Sequence, residues 1–317
     1  MKVIYGKEQN RYDLTPAVTE LSWSSARGQI AQNCDVRIKE GPPLQSAGFL
    51  MLFAGAELKE SQQLFHGPLV RFDRDDRTGD ISASAYELGW YLQKNEISRI
   101  KLDGDAGTEL ARVIKGAGIS FNCPAFGFMI KERIPSQSYT SLFTSLTEQA
   151  YEKTGIRYFV QYQRDKLTVL PEGKNSIIPM FKASLITSSS TGESIEDVYT
   201  VVTVERYRDD RVVSSSTKAN DSLVKRIGRM QKVIDAGEDK NVAGLATKQL
   251  AALSKIPRTR SISVRHEDKN AAGLRAGWLI KIMEKDNKTI TDWIVTNCQV
   301  RWQGGQYTMD LQLERRT

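Results

Sequence analysis

The residues Gln306-Tyr307-Thr308-Met309-Asp310-Leu311-Gln312-Leu313 alternate polar and apolar without a break. A strand is the regular structure that repeats every two residues. This segment therefore puts Tyr307, Met309, Leu311 and Leu313 on one face and leaves the other face wet. It is entered through Val300-Arg301-Trp302 and a tight turn at Gln303-Gly304-Gly305. An earlier stretch has the same form. Val70-Arg71-Phe72 is followed by a polar turn, Asp73 to Asp80, and then by Ile81-Ser82-Ala83-Ser84-Ala85. In each, an apolar–Arg–aromatic strand turns at glycine into a strict period-two strand. The repetition reads as two related β regions within one chain.

Other segments of the first hundred residues agree. Thr19-Glu20-Leu21-Ser22-Trp23-Ser24 and Cys34-Asp35-Val36-Arg37-Ile38-Lys39 alternate, and Gly41-Pro42-Pro43 punctuates them. The nearly all-apolar run Ala47 to Ala54 reads as a strand buried on both faces or packed between subunits. Short strands with turn signals between them point to a sandwich or barrel.

Near residue 100 the period changes. A helix is predicted over 108–115, capped by Thr108 and stopped by Gly116 or Gly118. A second begins at Ser138, carries Leu142, Phe143, Leu146 and Ala150 as a core stripe, and stops at Gly155. Tyr158 to Tyr162 and Lys166 to Leu170 then form a hairpin around Arg164-Asp165. Residues 171–175 read as an exit linker. Beyond it, Tyr199 to Val204 is a strand and Ser214-Ser215-Ser216-Thr217 a polar loop. Asp221 caps a short helix ending at Gly228, and a longer helix runs from Asn241 to Ser254 before Pro257 forbids its continuation. Arg260 to Arg265, Trp278 to Ile282 and two final strands complete the chain. The fold class expected is α+β, mainly β: a β-barrel domain over 1–100, a small α/β module over 101–175, and a second β-barrel domain over 176–317 with a helical insertion at about 219–256.

Composition narrows the function. Mean hydropathy is −0.42, and no run of about 18 apolar residues exists to cross a membrane as a helix. Lys2, Lys7 and Glu8 interrupt the N-terminus before an apolar stretch forms, so no secretory signal is expected. A chain made in the cytoplasm, leaving if at all by lysis or a dedicated route, is the corresponding expectation. The 317 residues suffice to bury a core without staples. Cys34, Cys123 and Cys298 are scattered, as are His66 and His266, which argues against a disulfide framework, a zinc site or a Cys–His nucleophile. Net charge is +7, and it gathers after residue 180. There basic residues alternate with acids, as in Glu205-Arg206-Tyr207-Arg208-Asp209-Asp210-Arg211, the pattern of a solvated face rather than a basic block.

Catalytic signatures are missing. The sequence holds no G-x-S-x-G, H-E-x-x-H, Walker A or G-x-G-x-x-G motif. Gly173-Lys174 lacks the upstream glycine of a phosphate loop. Asp103-Gly104-Asp105 and the acids of 73–80 lack calcium-loop spacing. Arg157 to Tyr162 has aromatic residues on a strand, as RNA-binding strands do, but core packing accounts for them. No catalytic, cofactor-binding or metal-ligating residue is assigned, no cofactor is expected, and no enzyme activity is expected.

One stretch is distinctive. Thr78-Gly79-Asp80-Ile81-Ser82-Ala83-Ser84-Ala85-Tyr86-Glu87-Leu88-Gly89-Trp90-Tyr91-Leu92-Gln93-Lys94-Asn95 resembles the A-Y-D-L-x-W-Y-L-x-K-N segment of the XkdQ-type phage tail hub proteins, relatives of the late control D family. Glu87 stands where that pattern has Asp. Ser136 to Leu142 occupies the place of the family's helix start. Gly304 to Glu314 is similar to its terminal G-x-H-x-M-x-L-x-L-E strand. The resemblance implies two tail-tube-like barrels per chain and a baseplate hub: a homotrimer forming a pseudo-sixfold ring between the sixfold tube and the threefold spike. It implies as partners the tail tube or tube-initiator protein, the central spike, the tape-measure protein and baseplate wedge proteins. DNA would pass through the lumen without specific binding, and no membrane anchor is needed. The site of action is the baseplate of a virion or tail-like particle, with assembly in the bacterial host cytoplasm. Strands such as Phe49 to Phe53 would be buried in barrels or between neighbours, with wet faces lining the lumen. The excess positive charge, Arg206, Arg208, Lys225, Arg226 and Arg229 among it, is expected to lie away from the lumen. The alternatives are a tail-associated cell-wall hydrolase, which needs a carboxylate pair in a cleft, and a nucleic-acid-binding protein exploiting the pI of 9.2.

Overall fold

The structure, a computed structural model, describes residues 1–39, 44–55, 57–59, 62–163, 166–237, 241–266 and 271–315. The expected punctuation at Gly41-Pro42-Pro43 and the hairpin turn at Arg164-Asp165 lie outside the described residues.

The first region is a run of strands: β1 (Lys2–Lys7), β2 (Asn10–Asp13), β3 (Val18–Ala26), β4 (Asn33–Ile38), β5 (Phe49–Phe53), β6 (Gln63–Arg74) and β7 (Ile81–Tyr86). A short helix, α1 (Trp90–Lys94), leads out of it. The middle holds β8 (Glu96–Ile97), β9 (Ile100–Asp105), α2 (Ala106–Gly116), β10 (Phe121–Asn122), β11 (Met129–Ile134), β12 (Gln137–Ser138), α3 (Tyr139–Thr154), β13 (Tyr158–Gln163) and β14 (Lys166–Pro171). The last region holds β15 (Met180–Lys182), β16 (Ile186–Glu193), β17 (Val201–Arg208), β18 (Arg211–Ala219), α4 (Asp221–Ile227), β19 (Gln231–Asp235), α5 (Val242–Leu253), β20 (Arg258–His266), β21 (Leu279–Met283), β22 (Ile290–Gln303) and β23 (Gln306–Arg315). The mainly β, α+β class expected from the sequence is what the chain adopts.

The two β regions are not separate closed barrels. The described strands form one open 13-stranded sheet, ordered β16-β20-β23-β22-β3-β4-β7-β6-β5-β1-β2, with β21 on β22 and β15 on β21. The seam is the antiparallel pairing of β22 with β3, from Asn297 opposite Ala26 to Trp302 opposite Leu21. Each region thus completes the other's edge, which removes two exposed strand edges without either region closing on itself. Local alternation cannot reveal this, because it sets the face of a strand and not its neighbour.

One core runs under both regions. It takes Trp23, Val36, Ile38, Leu52, Phe65 and Ile81 from the first, and Val264, Ile280, Val300, Tyr307, Met309 and Leu311 from the last. At about 25 cal/mol per Å² of apolar area, a core of this size is the main stabilising term. β6 bends within it. Its first half pairs with β5 and its second half with β7, and Gly67 sits at the bend. A Cβ there would lie 1.7 Å from the Tyr86 carbonyl oxygen, so the backbones meet only because the side chain is missing. The Gly304-Gly305 turn between β22 and β23 has φ of +59° and +85°, the paired left-handed conformation that a two-residue hairpin loop requires.

The middle module has its own core, with Leu110, Ile114, Phe121, Leu142, Leu146, Val160 and Val169 buried. Helix α3 starts and stops as expected: Ser138 accepts from the Ser141 amide, and Gly155 ends it at φ +75°. For α2 the cap is Asp105 rather than Thr108, with the carboxylate accepting from the amides of Gly107 and Thr108. Asn220, not Asp221, caps α4.

The interruption in the last region is more than helical. β18, β17 and β19 form a separate three-stranded sheet, against which α5 packs through Val202, Val204, Ile234, Leu245 and Ala246. Ser214 to Thr217, expected as a loop, lies inside β18. The Thr217 hydroxyl meets that of Thr203 across the pair at 2.8 Å. These small hydroxylated residues carry no apolar period from which a strand could be read. The apolar run Phe49 to Phe53 is less buried than expected: Leu50, Leu52 and Phe53 are buried, while Phe49 and Met51 are half-buried.

Candidate assembly interface

Eight neighbouring strands of the large sheet, from β16 to β6, share one polar face. Alternation places the apolar partners inward and leaves the outward positions to small hydroxyls and charges: Ser22 and Ser24 on β3, Ser82 and Ser84 on β7, Ser261 and Ser263 on β20, Ser188 and Ser190 on β16. Two grooves run along this face. One, of about 600 Å³, is lined by Glu20, Asp35, Arg37, Arg71, Asp73 and Arg301 among others. The other, of about 410 Å³, is lined by Ser188, Ser190, Ser261, Ser263, Gln299 and Asp310 among others.

Three arginines on this face are engaged by neighbouring side chains, while Arg265, exposed on the same face of β20, has no carboxylate against it among the described residues. Arg301 donates to Asp310 at 2.9 Å and to Gln299 at 3.0 Å. Arg71 donates to Asp73 at 2.8 Å, and Arg37 lies 3.4 Å from Glu20. The hydroxyls of Ser84 and Ser263 donate to Asp35 and Asp310, each at 2.6 Å. Exposed pairs of this kind add little stability. Their effect is on the field: a polyanion or an acidic peptide passing over the face meets Arg37, Arg71 and Arg301 already engaged by carboxylates.

The basic set lies elsewhere. Arg206, Arg208, Lys225, Arg226 and Arg229 all belong to the β17–β19 insertion, and none is on the eight-strand face. Arg208, Lys225, Arg226 and Arg229 are exposed, and Arg206 is half-buried.

Two ionic clusters, one buried and one half-buried, tie the regions together, and neither was legible in the sequence. Glu87, 1 % exposed, accepts from Arg275 Nη2 at 2.9 Å and from the Gln32 amide at 3.0 Å, and Arg275 also donates to the Gln32 side chain. The one available signal was an acid set inside the apolar-aromatic stretch Ala85-Tyr86-Glu87-Leu88-Gly89-Trp90. Nothing in the sequence pointed to Arg275 as its partner. The second cluster is Arg27, which donates to Glu172 at 2.8 Å and to Glu314 at 2.6 Å. Burial works against its charge, but Glu172 and Glu314 outweigh burial and hold the guanidinium above its ordinary pKa. Asn175 acts as a strand surrogate, donating to the Leu279 carbonyl and accepting from its amide.

Burial pushes the Cys298 thiol up to about 12, against the opposing Arg275 charge, and the Cys123 thiol up to about 12, with Asp105 adding to it. Burial, assisted by Asp35, holds Cys34 well above its ordinary value. All three are therefore protonated at neutral pH. His66 sits beside Phe49 and within 3.5 Å of the Tyr162 hydroxyl. Tyr158, Phe159, Val160 and Tyr162 are buried, so β13 is a core strand. Among the described residues no group of three or more His, Cys, Asp or Glu side chains could hold a metal ion, and no helix is long and apolar enough to cross a membrane.

Comparison with known proteins follows this architecture. The chain spans the fold of three solved tail proteins. The 43 kDa tail protein of prophage MuSo2 from Shewanella oneidensis superposes with a TM-score of 0.66 at 11% identity, over 99% of this chain and 98% of that one. A tail protein from Neisseria meningitidis MC58 gives 0.68 at 16% identity, over 99% and 96%. The prophage tail protein gp18 from Listeria monocytogenes EGD-e gives 0.66 at 12% identity, over 100% and 95%. At these identities the likeness is one of fold. No curated protein matches the sequence. A family model described as YQBQ-like matches residues 21–314, and the chain belongs to that family.

Proposed function

We propose that this YQBQ-like chain is a structural baseplate hub of a contractile phage tail or tail-like particle. Three copies form a pseudo-sixfold ring that surrounds the channel and joins the tail tube to the central spike. The observation that carries the reading is the polar face built by two like-ordered β units in one sheet. Two similar units per chain let three chains present six units to a sixfold tube.

The face suits a channel wall. Small hydroxyls give a smooth, wet surface, and paired charges leave no row of free cations to hold DNA. Cargo, whether DNA or a tape-measure protein, would pass with little retention, since polyanion affinity rises with the number of cations free to displace counterions. The basic insertion would then face outward, toward wedge, tube or spike partners. In this reading the chain is not an enzyme, has no membrane anchor, and acts in the baseplate after assembly in the host cytoplasm.

The experiment is light scattering across concentrations, followed by imaging. A trimer seen end-on as a ring with six similar lobes supports the hub. A particle of two-fold symmetry, or clearing of cell-wall material by the purified protein, speaks against it.

A further inference from the structure

The apolar side of the large sheet ends in charge. Along β23 the buried positions are Tyr307, Met309, Leu311 and Leu313, and the next residue on that side is Arg315. Along β20, followed backwards, they are Val264 and Ile262, and then Arg260 and Arg258. Alternation thus carries three arginines onto the core side just where the core stops. One residue beyond the last pair of β20 and β23, Thr259 opposite Glu314, Arg258 stands opposite Arg315. Glu193 of β16 flanks Arg258, and Trp293 of β22 flanks Arg315. Across four neighbouring strands the row reads Glu193, Arg258, Arg315, Trp293.

The three arginines are not equally engaged. Arg260 is largely buried, donates to Glu284 at 2.8 Å and lies 5.8 Å from the Trp293 ring. Glu284 also accepts from the Thr291 hydroxyl at 2.8 Å, and that hydroxyl accepts from the Trp293 indole at 2.8 Å. This chain of bonds is complete without a ligand. Arg258 makes only a long approach to Glu193, at 3.6 Å, with both side chains more than half exposed. Arg315 is exposed, and among the described residues no carboxylate pairs with it. Like charges directly opposite one another on neighbouring strands destabilise a sheet. The Arg258–Arg315 pair carries that cost, and Glu193 answers one of the two. Both arginines line a groove of about 520 Å³, together with Thr191, Glu284 and Trp293.

We infer that this groove is a binding site for an acidic peptide segment of a partner protein, with a carboxylate held between Arg258 and Arg315. A guanidinium presents its donors in a planar fork that matches a carboxylate, and such charge-assisted bonds are the strong ones. Two loosely engaged cations suit one or two anionic groups. Glu193 and Glu284 beside them repel a strand of closely spaced phosphates, which favours a peptide over a nucleic acid. Thr191 and Trp293 offer hydroxyl and apolar contact to the residues between its acids. The groove lies on the opposite side of the sheet from the polar face, so the inference does not rest on the ring reading. It is also separate from the basic insertion.

The test is fluorescence anisotropy of a dye-labelled peptide of alternating glutamate and serine, amidated at its C-terminus, titrated with the full chain at low salt. A glutamine–serine peptide and a single-stranded oligonucleotide of equal charge are the comparison probes. Arg258→Gln and Arg315→Gln, both at exposed positions, are run beside Arg226→Gln on the insertion. The glutamate peptide should bind and the glutamine peptide should not. Each groove variant should weaken binding about tenfold, the effect of losing one charge-assisted contact, and Arg226→Gln should leave it unchanged. Removing one of two facing like charges should leave the free chain at least as stable as the parent. Equal weakening by Arg226→Gln makes the attraction a matter of net charge and overturns the site. Tighter binding of the oligonucleotide, lost in the same two variants, overturns the peptide in favour of a nucleic acid. A glutamate peptide that fails to bind at the highest concentration reached overturns the inference. So do groove variants that unfold more easily than the parent, because the arginines then serve the fold and not a ligand.

Discussion

The two β units share a strand order and differ in how their leading strands are finished. β3 points Leu21 and Trp23 inward, and the Trp23 indole donates to the Ala272 carbonyl of the other region at 3.2 Å. Beside it, the Ser25 hydroxyl accepts from the Ala276 amide, and the Arg27 and Arg275 clusters bolt the seam. β16, in the corresponding place, points Ser189 and Thr191 inward, and both are exposed. The same frame therefore carries one seam sealed by side chains and one edge left unsealed. Backbone geometry decides where strands can join, and side chains decide which joint is made during folding.

Breaking the sealed seam gives the largest expected effects. Arg275→Ala strands the buried Glu87 carboxylate without its partner, and removing one member of such a pair costs about 3–5 kcal/mol. Trp23→Ala removes the large side chain that bridges the seam, at about 3–5 kcal/mol. Urea unfolding followed by tryptophan fluorescence measures both. A loss under 1 kcal/mol in either variant would mean that the seam is not held as described. Arg27→Ala, at a partly buried site with two charged acceptors, is expected to cost about 1.5–3 kcal/mol by the same measurement.

Changes at the unsealed edge should separate stability from association. Ser189→Lys places a guard charge on β16. The isolated chain should unfold within about 0.5 kcal/mol of the parent, while sedimentation should show weakened self-association. Equal association by parent and variant would remove the distinction between the two edges.

The smallest effect concerns pH at the β1–β2 end of the sheet. Burial is the largest single influence on Asp13 and opposes its ionisation, but the Lys2 ammonium and Thr15 together outweigh it and hold the carboxyl below the ordinary value. The folded value is the lower one, so the contribution is complete above the unfolded value near 3.9. It is lost as pH falls through the folded value. Because both partners are substantially exposed, Lys2→Met should barely change stability at pH 7. It should return the Asp13 titration, followed by NMR, to its ordinary range.

Much of the framework was legible because strand alternation and helix caps are local. The closing hairpins, α3 from Ser138 to Gly155, and α5 between Asn241 and Ser254 follow from residues a few positions apart. The seam was not legible. Asn297 meets Ala26 across most of the chain, and the choice of neighbour for β3 depends on Trp23 finding the 272–276 segment. β18 was hidden for a different reason: its serines and threonines satisfy strand geometry without an apolar period. The polar face was visible only as alternate serines on separate strands. Their convergence into one wall needed the sheet order.

The most direct test of the account is the mass of the parent protein in solution, measured by light scattering as concentration rises at fixed salt. The account predicts a shift from the 35.6 kDa chain to a species of three chains, with no plateau at two. A stable dimer would contradict it, because two chains present four β units to a sixfold tube where three present six.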